Sequence, residues 1–84
     1  MIGATFDRID FSRADLEGAN MNNTTLKNCK FVLAEMRRTD LQFADVKGAD
    51  FGGANLLGAN LKNIKNLKAA IDIEKARNLD HAMF

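Results

Sequence analysis

Few residues in this sequence carry the chemistry of a catalyst. Cys29 is the sole cysteine and His81 the sole histidine. A nucleophile needs a base within hydrogen-bond reach, and no Cys/His or Ser/His/Asp constellation emerges from the pattern. Asp15 and Glu17 are two carboxylates in close succession, but both read as solvent-facing and not as an acid–base pair. The glycine-rich run around Gly52, Gly53 and Gly58 has neither GxGxxG spacing nor a GK[ST] ending, so it does not read as a phosphate cradle. Arg37-Arg38 lies beside Glu35 and Asp40 and reads as a solvated pair in preference to a contact for an anionic partner. No ligand set has metal-site spacing. We therefore assign no catalytic, cofactor-binding or metal residues and expect no enzyme.

What must position these residues is a pattern with a period of five. Twelve apolar residues recur at that spacing: Phe6, Phe11, Leu16, Met21, Leu26, Phe31, Met36, Leu41, Val46, Phe51, Leu56 and Leu61. Two positions before each stands a smaller residue in most registers, beginning with Ala4, Ile9, Ala14, Ala19, Thr24, Cys29 and Ala34. Helical faces recur every 3.6 residues and strand faces every two, so neither element alone explains the spacing. Residues two apart share the face of an extended segment, and the other two residues turn the chain. The chain is thus expected to wind as a coil, with the small and large apolar residues inside. Cys29 occupies an inward slot and reads as packing. A twenty-residue coil would stack Phe11, Phe31 and Phe51 in one column. The Asp or Asn residues ahead of the central position, such as Asp10, Asp15, Asn20 and Asn55, read as side chains that bond nearby turn amides.

The copies Ala14-Asp15-Leu16-Glu17-Gly18, Ala49-Asp50-Phe51-Gly52-Gly53 and Ala54-Asn55-Leu56-Leu57-Gly58 resemble the A(D/N)LXX motif of the pentapeptide-repeat family. The resemblance covers roughly three quarters of the chain and is highly specific. It implies an all-β solenoid: a right-handed quadrilateral β-helix with four pentads per coil, hence about three coils here. Residues 1–63 are read as that β-helix and 64–84 as a cap. In the tail, Ala69, Ala70, Ile73, Ala76 and Leu79 suit one face of a short C-terminal α-helix, with Asn66 as its cap. The likeness of Lys65-Asn66-Leu67 to Arg77-Asn78-Leu79 leaves two irregular loop repeats as the alternative.

The 84 residues carry 12 Lys and Arg against 11 Asp and Glu, a net charge of +1. Such a balance indicates neither a nucleic-acid binder nor an acidic decoy, and no window is apolar enough to span a bilayer. We expect no direct nucleic-acid partner and no membrane partner. One cysteine and an N-terminus without a secretory pattern point to a cytoplasmic chain. The expected role is a non-catalytic structural or protein-interaction module. The resemblance also implies an alternative, since some family members mimic DNA and protect gyrase and related topoisomerases. The neutral repeat and short rod disfavour it. Candidate contacts are Phe6 and Ile9 at the open first coil, where a homodimer could form, and the outward apolar residues Val32, Leu33 and Phe43.

Overall fold

The computed structural model describes residues 2–84. Its regular elements are short: β1 (Thr5–Asp7) and β2 (Thr25–Lys27) pair in parallel, with Phe6 opposite Leu26. The rest of the ladder consists of single parallel bridges twenty residues apart, including Asp10 to Lys30, Asp15 to Glu35, Asn20 to Asp40 and Lys30 to Asp50. Four bridges per turn, five residues apart, define a four-walled coil. The first wall is centred on Phe6, Leu26 and Val46. The second holds Phe11, Phe31 and Phe51, the third Leu16, Met36 and Leu56, and the fourth Met21, Leu41 and Leu61.

Each wall alternates as an extended segment must. The residue ahead of the central one bridges to the next coil, and its two neighbours point inward. From Leu16 to Leu61 the central residues are all buried, as are Thr24, Cys29, Ala34, Thr39, Ala44, Ala49, Ala54 and Ala59. The phenyl column forms as the twenty-residue repeat requires: Phe11 on Phe31 and Phe31 on Phe51, each pair stacked at 5.2 Å between ring centroids. Phe6 meets Phe11 edge to face at 5.6 Å. Thr39 satisfies its buried hydroxyl by donating to the Leu16 carbonyl at 2.8 Å.

The corners follow from hydrogen-bond closure. The carbonyl of a central residue accepts the amide three residues on, as in Ala34 N–H to Phe31 O at 3.1 Å. The third residue of each such turn has positive φ, whether it is Gly18, Gly48, Gly53 and Gly58 or Asn23, Asn28, Leu33, Arg38 and Phe43. This is the type II signature, which favours Gly and Asn. All eight Asp or Asn residues ahead of a central position accept an amide two residues on: Asp10 from Ser12, Asp15 from Glu17, Asn20 from Asn22, Asp40 from Gln42, Asp45 from Lys47, Asp50 from Gly52, Asn55 from Leu57 and Asn60 from Lys62. The polar residue of the motif is therefore a turn former.

The tail departs from the helical expectation. It forms three isolated 3-10 turns, Leu67–Ala69, Ile73–Lys75 and Leu79–His81, and no α-helix occurs among the described residues. The bridges explain why: Asp45 pairs with Lys65, then Asp50 with Ile71, Asn55 with Arg77 and Asn60 with Met83. Each successive wall of the fourth coil has gained one residue. The inserted residues are Asn66, Asp72 and Asn78, all in the left-handed region at φ 63°, 53° and 60°. Ala70, Ile73, Ala76 and Leu79 recur every third residue because six-residue walls place them so. That spacing lies close enough to a helical period to imitate one. The irregular-repeat alternative describes this tail better than a helix does, with three repeats instead of two.

Candidate interaction surface

The fold disperses the residues with chemical potential. Cys29 is fully buried, and desolvation raises its thiol pKa against weaker opposing backbone contacts, which makes it a poor nucleophile. His81 is exposed with Asp80 at 3.7 Å. Asp15 caps its own turn through the Glu17 amide, while the Glu17 carboxylate receives Arg37 at 2.8 Å and Arg38 at 3.5 Å. No ligand-sized cavity and no metal-binding group of side chains occurs among the described residues. What the molecule presents to a partner is its outer walls and its two ends.

The third wall is a charged ladder. Arg77 reaches Glu35 at 3.1 Å, Asn55 donates to Glu35 at 3.1 Å, and Asn78 donates to Asn55 at 2.9 Å. The hydrogen bonds from Arg77 and Asn55, aided by the charges of Arg77 and Arg37, lower the Glu35 pKa. Three of the five arginines are thus engaged on this wall and its corner. On the first wall, Asp45 accepts Asn66 at 2.8 Å and has Lys27 at 3.9 Å. Burial pushes the Asp45 carboxyl up, but the Asn66 and Lys47 hydrogen bonds and the charges of Lys27 and Lys65 outweigh it, so its pKa falls.

The candidate contacts occupy three separate places. Phe6 is half-buried against the core, and Ile9 is 42% exposed at the rim of the first coil. Val32 and Leu33 lie at the corner after the second wall. There Leu33 packs over Gly53, its Cδ2 2.7 Å from where a Cβ would stand. Phe43 lies at the opposite corner, between the fourth and first walls, 42% exposed at φ 61°.

The two ends differ. In the pentad coils the last amide of each corner donates to the next coil, as Gly48 does to Ala69 O and Gly53 to Lys75 O. In the fourth coil the equivalent amides of Ala69, Lys75 and His81 turn back to Asn66, Asp72 and Asn78 carbonyls of the same coil. The inserted residues thereby close the corner amides of that edge, while the Ile64, Ala70 and Ala76 wall carbonyls accept no backbone amide among the described residues. At the other end, Lys30, Glu35 and Asp40 amides donate to Ile9, Ala14 and Ala19 carbonyls. The corresponding amides of Asp10, Asp15 and Asn20 have no backbone acceptor among the described residues.

The period and the ladder have a counterpart among known families. A family model described as pentapeptide repeats matches residues 1–31 and 34–65 in eight copies. The chain belongs to the pentapeptide-repeat family. No curated protein matches the chain. Among solved structures, a pentapeptide repeat protein from the cyanobacterium Cyanothece 51142 superposes with a TM-score of 0.72 at 24% identity. That match covers 96% of this chain and 57% of the other, so this pentapeptide-repeat chain spans little more than half the length of that relative. A second, from the Arabidopsis thaliana thylakoid lumen, is 26% identical over 81% of this chain and 61% of the other, at a TM-score of 0.32. The family and the cyanobacterial structure identify the four-walled coil as a right-handed β-helix.

Sequence reasoning missed two features. The six-residue walls of the tail were visible in the Asn66, Asp72 and Asn78 spacing, had a period of six been sought. The distribution of lysines was also visible, once residues twenty apart are read as neighbours.

Proposed function

We propose that this protein is a non-catalytic cytoplasmic interaction module whose main contact is the edge of its first coil. The observation that supports this reading is the contrast between the ends. In the first coil the Asp10, Asp15 and Asn20 amides have no backbone acceptor among the described residues, beside partly covered Phe6 and Phe11 and exposed Ile9. Unpaired strand edges bordered by apolar side chains favour pairing with another chain. The fourth coil turns its corner amides back on itself, although its Ile64, Ala70 and Ala76 wall carbonyls accept no backbone amide among the described residues. A second copy docking through first coils is the simplest occupant, and a two-fold pairing of that kind makes a closed dimer.

The DNA-mimic alternative fits less well. Residues 1–63 hold eight basic and eight acidic side chains, and the molecule's largest extent is 26 Å. A duplex mimic needs a long, acidic rod.

Light scattering across protein concentrations tests the reading. The expected result is a dimer that Ile9→Asp converts to monomer, with the circular dichroism spectrum unchanged. A monomer at every concentration would overturn self-association. A dimer indifferent to Ile9→Asp would move the contact elsewhere.

A further inference from the structure

The near-neutral total conceals a separation of charge between walls. The plane formed by the first wall and its two flanking corners carries Arg8, Lys27, Lys47, Lys62, Lys65 and Lys68 against Asp7 and Asp45. That is six cations against two carboxylates, an excess of four on one side of a protein whose net charge is +1. The remaining surface is correspondingly acidic by three.

The two kinds of cation also behave differently. Arg37, Arg38 and Arg77 are held by Glu17 and Glu35 on the third wall and its corner. On the first-wall plane, Asp7 is taken by Arg8 at 3.0 Å, and Asp45 by Asn66 and more loosely by Lys27. Lys47, Lys62, Lys65 and Lys68 form no salt bridge among the described residues. Lys27, Lys47 and Lys68 share one corner on successive coils, with rungs about 4.8 Å apart. Stacked ammonium groups repel, and nothing in the fold requires lysine at these outward turn positions.

Phe43 stands at the other edge of the same plane, and its amide donates to the Lys62 carbonyl at 3.3 Å. A bulky residue at φ 61° is an outlier. Its column neighbours are Asn23 and Asn63, the type of residue that this conformation favours. Leu33 and Arg38 share this corner conformation, so what sets Phe43 apart is a large apolar ring left 42% exposed on the basic plane.

We propose that the first-wall plane adsorbs to an anionic phospholipid surface, with the lysines in the headgroup field and Phe43 at the interface. Ammonium groups on flexible stems suit a diffuse anionic surface better than a specific phosphate, for which a planar arginine fork is the stronger ligand. The plane also lacks the array of aromatic platforms on which single-stranded nucleic acids stack. A basic surface with an adjacent aromatic side chain matches reversible interfacial binding. This inference replaces the expectation of no membrane partner, which rested on total charge and the lack of a spanning segment, and it does not depend on pairing through the first coil, because the plane runs along the side of the solenoid.

Co-sedimentation of the intact chain with two sets of vesicles tests it: phosphatidylcholine alone, and phosphatidylcholine with about a third phosphatidylserine. The proposal expects binding to the anionic vesicles alone, weakening as salt rises. Each lysine near the surface is worth about fivefold in partitioning. Combining Lys47→Glu, Lys65→Glu and Lys68→Glu should therefore lower binding by about a hundredfold or more, and Phe43→Asn by several-fold. Lys75→Glu, on the opposite side, should leave binding unchanged. Circular dichroism and melting confirm that each variant is folded, and Lys47→Gln with Lys68→Gln gives a milder pair. Binding that ignores lipid charge, an equal loss with Lys75→Glu, or tighter association with a single-stranded oligonucleotide than with the vesicles would overturn the proposal.

Discussion

At the scale of single residues, the corner position separates backbone need from side-chain identity. Gly and Asn serve its positive φ at low cost, whereas Leu33 and Phe43 do not. Leu33 has a local compensation, since it covers Gly53. Phe43→Asn should therefore stabilise the fold by about 1 kcal/mol, by relieving the left-handed strain, and urea denaturation would read this as a higher midpoint. A loss of stability would mean that Phe43 packs on the protein itself. The inward positions behave oppositely. Phe31 lies between two stacked rings and has no exposed surface. Phe31→Ala should cost about 3–5 kcal/mol, more than the same change at Phe6, which is only partly covered. Acid sensitivity also belongs to this scale. Asp10, Glu35 and Asp45 all have lowered pKa values in the fold. The unfolded chain therefore takes up protons before the folded one does as pH falls. Their contribution is complete above the ordinary carboxylate range and is lost as pH drops through the lowered folded values. Glu35→Gln should flatten part of that acid limb in melts recorded against pH. An unchanged limb would show that the Arg77 and Asn55 contacts do not hold in solution.

At the scale of the element, the five-residue wall was fully legible because chemistry and period agree in every copy. The inward slots accept only apolar or small side chains, and the Asx-type residues close each turn. The departures at Ile9, Cys29, Thr24 and Thr39 did not obscure the pattern, since the latter three are small enough to be buried and Ile9 lies on the rim. The six-residue wall was misread because Ala70, Ile73, Ala76 and Leu79 imitate a helical stripe, and propensity offered nothing against it. The deciding signal is a residue tolerant of the left-handed region ahead of three successive apolar positions: Asn66, Asp72 and Asn78. Of the candidate contacts, Ile9, Leu33 and Phe43 are exposed, whereas Phe6 and Val32 are partly covered, and their separation into three places follows from the coil period alone. Deleting Asn66, Asp72 and Asn78 together converts the tail to pentads, namely Ile64-Lys65-Leu67, Ala70-Ile71-Ile73 and Ala76-Arg77-Leu79 with their following pairs. The amides of Ala69, Lys75 and His81 would then point outward from the stack. End-to-end association should follow, seen by light scattering as species larger than any formed by the parent chain. A variant that folds and keeps the parent mass would show that the insertions do not govern stacking.

At the scale of the whole molecule, a solenoid has no single centre, so stability follows position along the stack. Second- and third-coil residues are covered above and below. Phe31, Met36, Leu41, Val46 and Leu56 are all fully buried, whereas Phe6 and Phe11 on one side and Leu67, Ile73 and Leu79 on the other are only partly covered. Local opening should therefore begin at both ends and reach the middle last. Amide hydrogen exchange resolved by residue gives a direct comparison within one wall. The Phe11 amide donates to Lys30, the Phe31 amide to Asp50 and the Phe51 amide to Ile71, at 2.7, 2.7 and 3.0 Å. Bond geometry alone predicts similar protection for the first two. The stack predicts otherwise: Phe31 and Phe51 should exchange slowly and together, and Phe11 markedly faster, because opening the first coil breaks one interface instead of two. Dimerisation through the first coil would add a second interface there and slow Phe11 as protein concentration rises, with Ile9→Asp abolishing the slowing. If Phe11 instead exchanges as slowly as Phe31 in a monomeric protein, the chain unfolds as one cooperative block. The first coil would then be no looser than the rest, and its open edge would have to recruit partners without any prior fraying.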